Sequence, residues 1–356
     1  MTSGAHLQHH ATSCLLFENS DKSVILIDVP RSIEEAQQLP GETVKRRIIS
    51  SDPIEIPWNT PKPKKALTQS TSPSSAIAEL MTLEIVKVAL QDMKKNYKGP
   101  WCLPRVLRNT GKTDCDDLNS EESHKRKKTS DNKATDVDPE PYIPYQSQYL
   151  LGTVESQREV FLRDAPMFDL IVLDPPWPSR SVRRKRNSYK IANDMEETKN
   201  LLANIPVASH LKPDGLVAIW ITNKVAITDL LLSPSGIFSE WGIEFIGEWV
   251  WLKVTNSGDP IVDVESQWRK PWERLLLGRK RGSTGRAPIP TKVIVGVPDV
   301  HSRKPNLRSL FQNIMPENYS GLEMFARNLT AGWWSWGNEV LFFQQRHHWI
   351  KMAAGK

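Results

Sequence analysis

The stretch Phe168–Trp177 (Phe-Asp-Leu-Ile-Val-Leu-Asp-Pro-Pro-Trp) constrains this chain more than any other. Residues 168–173 are apolar at every position but Asp169, the pattern of a β-strand buried on both faces in a mostly parallel sheet. The two prolines that follow forbid further ladder pairing and hold the backbone extended. The strand therefore ends at Leu173 and delivers Asp174 at its carboxyl end. In open α/β sheets that is the edge where ligands bind.

The rest of the back half fits such a sheet. Leu216–Ile221, Ile243–Val254, Leu275–Leu277, Val293–Val297, Leu322–Phe325 and Val340–Phe343 read as further strands. Helical spacing recurs over Thr198–Leu211, Lys224–Leu232 and Pro305–Ile314. Strands alternating with helices predict an α/β fold, and residues 141–350 are long enough for one well-buried core.

The front half is patchier. Leu15–Phe17 and Val24–Asp28 flank a polar turn and could pair as a hairpin. Residues 29–73 read as a Pro/Ser/Lys linker, which closes an N-terminal region of residues 1–73. Residues 74–108 form a helical segment: Ser74 or Ser75 can cap a helix that carries Ile77, Leu80, Met81, Ile85 and Val88 and stops near Lys98. Residues 109–140 read as a disordered charged linker. Its run His124-Lys125-Arg126-Lys127-Lys128 resembles a nuclear-import signal, although a solvated linker has the same composition. The nucleus is the expected location, with the cytoplasm left open.

Charge and cysteine usage exclude several classes. The chain has 47 Lys and Arg against 41 Asp and Glu, and the whole excess of six falls after residue 140, with 11 of the 13 tryptophans. A basic, Trp-rich half suits a polyanion with stacking groups. No window is long and apolar enough for a transmembrane helix, and the N-terminus lacks a signal-peptide core. Cys14, Cys102 and Cys115 show no CxxC spacing, so neither a disulfide framework nor a cysteine zinc site is expected. No membrane and no metal are expected partners.

At the end of the central strand, Asp174 supplies an acceptor carboxylate. The prolines donate no amide, so the carbonyls of Asp174 and Pro175 are expected to lack a local partner and to accept hydrogen bonds from something else, and Trp177 adds a flat apolar face. Two acceptors and a ring suit an exocyclic amine on a planar base. A strand-ending turn with a surface tryptophan is the plainer reading of the same residues.

The stretch Phe168–Trp177 resembles the catalytic motif of the MT-A70 family of S-adenosylmethionine-dependent adenine-N6 methyltransferases. Further segments match in order: Trp251–Gly258, Lys270-Pro271-Trp272-Glu273, His301–Pro305, and Glu323–Leu329 running on to Gly332–Glu339. Together they resemble the methyltransferase-like protein four branch. The resemblance implies a Rossmann-like methyltransferase sheet with flanking helices and a permuted motif order, the catalytic strand preceding the cofactor strand. It implies catalytic roles for Asp174, Pro175, Pro176 and Trp177. Asp174, Lys304, Glu323, Arg327, Asn328, Asn338 and Glu339 would hold S-adenosylmethionine, with Lys304 at its carboxylate end. Arg183, Arg184, Lys185 and Arg186 would meet substrate phosphate, and Tyr189 and Trp272 would stack. The implied substrates are 2′-O-methyladenosine in U2 small nuclear RNA and deoxyadenosine in DNA. A non-catalytic scaffold of the same fold is the rival, and the intact Asp-Pro-Pro-Trp motif argues against it. Methylation of a protein amide is a third reading, disfavoured because such enzymes open the motif with Asn. The sequence departs from the pattern in two places: Phe325-Ala326-Arg327 replaces a Gly-rich turn, and Gly152-Thr153 stands where an acidic residue is usual.

Overall fold

The computed structural model describes residues 13–59, 73–108, 140–178, 194–266, 269–283 and 288–352. In chain order the elements are β1 (Leu15–Glu18), β2 (Val24–Ile27), α1 (Val29–Ala36), β3 (Arg46–Ser50), α2 (Pro73–Asn96), β4 (Val106–Leu107), β5 (Gln148–Leu151) and α3 (Val154–Asp164). Then come β6 (Phe168–Leu173), α4 (Met195–Ala203), α5 (Val207–His210), β7 (Leu211–Ile221), α6 (Val225–Leu232), α7 (Ile237–Glu240) and β8 (Ile243–Lys253). The chain closes with β9 (Trp272–Lys280), β10 (Lys292–Gly296), α8 (Arg308–Phe311), β11 (Gly321–Met324), β12 (Trp334–Gly337) and β13 (Trp349–Lys351).

Ten strands form one sheet in the order β1-β2-β10-β8-β9-β7-β6-β11-β12-β5, and β13-β3-β4 form a smaller one. Within the large sheet only β1 and β9 oppose their neighbours. This is the expected α/β sheet with flanking helices. β6 runs between β7 and β11 and is buried throughout. Phe168, Ile171 and Leu173 face one apolar layer, and Leu170 and Val172 face the other. Burying side chains of this size stabilises the fold by about 1.5–3 kcal/mol each. Asp169, the polar exception, is buried but satisfied: Lys212 Nζ lies 2.7 Å away, and the Ser320 amide and hydroxyl each donate at 2.8 Å.

Several elements differ from the sequence reading, each for a local reason. Pro206 splits the helix expected over Thr198–Leu211 into α4 and α5, because its ring cannot continue the backbone ladder. The helix expected over Pro305–Ile314 shrinks to α8. Val340–Phe343 is not a strand but a turn leading into a 3-10 turn, in which Val340 and Phe343 are buried. The strand lies one motif earlier, at β12, between β11 and β5.

The front half joins the same body. The expected hairpin forms, and β2 pairs in parallel with β10. α2 lays Val86, Ala89, Leu90 and Met93 against Val250, Leu252, Val293 and Val295 of β8 and β10. The stretch read as a linker over residues 29–73 contains α1 and β3. Pro30 sits in the first turn of α1, and Asp28 caps it by accepting from the Arg31 amide at 2.8 Å. Most of the expected charged linker, residues 109–139, lies outside the described residues.

A buried ionic knot ties front to back. Asp299, in the loop after β10, accepts from Arg303 Nη1 at 2.7 Å and from the Ser51 amide at 2.9 Å, with Arg105 Nη1 at 3.7 Å. Arg303 also donates to the Ile49 carbonyl of β3 at 2.7 Å. All three charged side chains are almost wholly enclosed. Asp299→Ala is therefore expected to lower unfolding stability by about 3–5 kcal/mol in urea, because it strands two buried guanidinium groups. A loss under about 1 kcal/mol would show that the knot is not structural.

Candidate active site

Asp174 follows β6, whose neighbours β7 and β11 end at the same edge of the sheet. Its amide donates to the Met324 carbonyl of β11 at 3.4 Å. Trp177 leans the other way, and its indole Nε1 donates to the Trp220 carbonyl of β7 at 2.8 Å. The Pro-Pro turn is thus pinned on both sides. One expectation needs correction here. The Pro175 carbonyl does have a local partner, since the Trp177 amide donates to it at 2.8 Å. An amide two residues on can turn back across the extended prolines, and the carbonyl keeps its second lone pair.

Lys304 is the centre of the site. Its ammonium lies 2.8 Å from Asp174 Oδ2 and 3.2 Å from Glu273 Oε2, with the Trp220 ring 5.8 Å away. Glu273 is also bonded by Lys253 of β8. Burial on its own would raise Glu273, but the two lysines outweigh it and hold the carboxyl at about 2. Burial opposes the charge of Lys304, yet Asp174 and Glu273 together raise its pKa above the ordinary lysine value.

Glu273 was not singled out from the sequence, although it stands in the Lys270–Glu273 segment. Strand alternation could have found it, because neighbours on a strand face opposite ways. Trp272 is the matching correction. It was expected to stack on substrate, but it is buried among Val250, Leu252 and Val254 on the core side of β9. Alternation along β9 turns Glu273 toward Lys304 and leaves Trp272 in the core.

A cleft opens beside this cluster. Asp174, Lys304, Glu323, Arg327 and Asn328 line it, with Val172, Trp220, Phe325 and Trp333 as apolar wall. Ile33 of α1 also borders it, so the front half contributes to the site. Arg327 pairs with Glu339 at 2.6 Å, which places Glu339 behind the arginine. Asn338 is exposed in the turn after β12, outside the cleft lining. Where a Gly-rich turn is usual, Phe325 adopts φ +60°, a conformation costly for a bulky residue. The turns after β11 and β12 pack backbone to backbone: the Ala326 amide donates to the Trp336 carbonyl at 3.1 Å, and a Cβ on Gly337 would lie 2.6 Å from the Ala326 carbonyl oxygen. Arg183, Arg184, Lys185, Arg186 and Tyr189 lie outside the described residues.

The MT-A70 profile matches residues 168–339, the span that holds every side chain of the ionic cluster. The N6-methyladenosine RNA methyltransferase MTA1 of Cryphonectria parasitica is 46% identical over 349 residues, covering 95% of this chain and 94% of that one. The chain belongs to the MT-A70 family. It is a methyltransferase, and enzymes of this family generally depend on S-adenosylmethionine. Homo sapiens METTL4, named an N(6)-adenine-specific methyltransferase, is 35% identical over 224 residues, 60% of this chain and 46% of that one. A Caenorhabditis elegans DNA N6-methyl methyltransferase is 38% identical over 209 residues, 58% of this chain and 54% of that one. Among the described residues, no group of His, Cys, Asp and Glu could hold a metal, and no helix is long and apolar enough to cross a membrane.

Glu323 lines the same cleft without an ion pair to Lys304. Burial, and then the charge of Asp174, raise its carboxyl to about 7 against the opposing pull of Lys304. Between the ordinary glutamate value and about 7, the folded chain holds a proton that the unfolded chain has lost. Stability therefore falls as pH rises through that window and levels off above it. Glu323→Gln is expected to stabilise the protein at pH 8 by at most about 3 kcal/mol, and to do little at pH 4. Melting temperatures at the two pH values check this, and an equal shift at both would contradict it.

Proposed function

We propose that this chain transfers a methyl group from S-adenosylmethionine to the N6 amine of an adenine in RNA. The observation that carries the reading is the Asp174 carboxylate, fixed by Lys304 at the mouth of the cleft, beside the Trp177 ring. The cleft's donor set fits the cofactor. Lys304 offers a cation to a carboxylate, Glu323 an acceptor to ribose hydroxyls, Asn328 an amide, and Trp220 and Phe325 apolar surface. Arg327, held by Glu339, closes the far end. When bound, S-adenosylmethionine brings an electrophilic methyl carbon.

The adenine amine is a weak nucleophile because its lone pair is delocalised into the ring. Asp174 and the remaining lone pair of the Pro175 carbonyl accept its two hydrogens, which orients the nitrogen and favours a tetrahedral geometry. Positioning of this kind lowers a barrier by several kcal/mol. Trp177 is anchored through its indole nitrogen and packs partly on the apolar layer of Ile171 and Leu173, and the uncovered part of its ring would stack on the base. Pro176 keeps the turn rigid.

Near-complete alignment with an enzyme named for RNA supports an RNA substrate, whereas the DNA-named relative aligns over about half of each chain. Within RNA, the resemblance to the methyltransferase-like protein four branch points to 2′-O-methyladenosine of a U2-type small nuclear RNA. The basic run at residues 124–128 supports a nuclear location. The completeness of the ionic cluster counts against a non-catalytic scaffold.

Purified protein with labelled cofactor, offered matched RNA and DNA oligonucleotides, separates the substrates. Preference for DNA would overturn the RNA reading. Asp174→Ala is expected to lower turnover by at least about two orders of magnitude while cofactor binding largely survives. Undiminished turnover in that variant would refute the mechanism.

A further inference from the structure

The small sheet β13-β3-β4 has no role in the chemistry above, yet it stands beside the site. The Ser51 amide and the Arg303 guanidinium fasten it to the loop that leads from β10 to Lys304. β13 and β3 are antiparallel, with Lys351 opposite Arg46 and Ile350 opposite Arg47. Lys45, just before β3, Arg108, just after β4, and Lys351 are all exposed. Glu34, the acid beneath this sheet, is already held by Arg47 at 2.8 Å and the Ile48 amide at 3.0 Å. The surface thus presents exposed cations, while Glu34 is already paired within the sheet.

An aromatic step joins these cations to the cleft. Arg327, which lines the cleft, sits over the Phe342 ring at 5.7 Å. The Phe342 and His348 rings are 5.6 Å apart, and those of His347 and His348 are 4.2 Å apart. Phe342 is 45% exposed, an unusual position for a phenylalanine, and His347 is exposed beside it. Burial and the charge of Arg108 lower His347, and burial, with His347, Arg303 and Arg108 adding to it, brings His348 down to about 4. Both rings are therefore uncharged near neutrality and present flat faces rather than further cations.

We propose that the β13-β3-β4 sheet and the Phe342–His348 step form a docking surface for single-stranded nucleic acid. It would receive the nucleotides that flank the target base: bases stack on the step, and phosphates pass over Lys45, Arg108 and Lys351. Cations that track a backbone beside exposed rings are what sequence-tolerant strand binding requires. The inference rests on the nucleic-acid substrate proposed above and extends it to a surface separate from the reacting centre.

Binding of an RNA oligomer of about 20 nucleotides to the full chain, followed by fluorescence anisotropy without cofactor, tests the surface. The triple variant Lys45→Glu, Arg108→Glu, Lys351→Glu is expected to bind at least about tenfold more weakly, with a log–log salt slope smaller by about two. A control that removes the same charge from the opposite edge of the sheet (Lys22→Glu, Arg163→Glu, Arg281→Glu) should change affinity less than about threefold. Phe342→Ala, which leaves the charge unaltered, should weaken binding at least about fivefold with an unchanged salt slope. Equal losses in the triple variant and the control, or no loss in either, overturn the proposal. Selective binding loss without methyl transfer to any oligonucleotide would support the surface and count against the enzymatic reading alone.

Discussion

The Lys304 ammonium is the contact on which the site depends. It lies in the loop after β10 and binds Asp174 at the end of β6 and Glu273 at the start of β9, while Lys253 of β8 holds Glu273 from behind. One cation therefore registers the ends of several strands against each other. Placing such charges away from bulk water is expensive, and each is stabilised only by its neighbours. Three acids and two lysines share the cluster, so the acids outnumber the cations by one. Glu323 is the acid left without an ion pair to Lys304, and burial first, then the charge of Asp174, raises its pKa. The two lysines hold Glu273 far below the ordinary glutamate value.

That arrangement needs a rigid support, and the front of the chain provides part of it. β2 extends the sheet beyond β10, α1 brings Ile33 to the cleft, and the Asp299–Arg303–Arg105 knot fixes the loop just ahead of Lys304. The structural ion pair at Arg303 and the site at Lys304 thus stand on adjacent residues. Neutral net charge over residues 1–140 signals no separate unit, since the described residues there supply strands and contacts to the same body.

The central strand, its abrupt end and the identity of Asp174 were legible because each follows from adjacent residues. Apolar character at 168 and 170–173 requires burial, and Pro-Pro requires termination. What escaped depends on partners distant in sequence. β3 reads as part of a charged, proline-rich linker, and it is a strand only because β13 and β4 flank it. Val340–Phe343 has the apolarity of a strand but packs its side chains from turns, whereas Trp334–Gly337 finds open edges on β11 and β5. Glu273 and Trp272 show the same limit inside the site. Both were visible as residues, but which of the two faced the ligand required the orientation of β9.

The chemistry of the Asp-Pro-Pro-Trp turn also bears on which base it can accept. On the proposed reading, a carboxylate and a backbone carbonyl present lone pairs only, with no proton to donate between them. An exocyclic amine satisfies both. A keto oxygen at the same place, as on guanine or uracil, would set lone pair against lone pair and leave buried acceptors unpaired, a cost of about 1–3 kcal/mol per group. Lys304 adds to this selectivity by restraint. Held between Asp174 and Glu273, its ammonium has little freedom to swing out and offer a proton to a keto group. On that reading, rejection of a keto-bearing base follows from the same ion pairs that build the site.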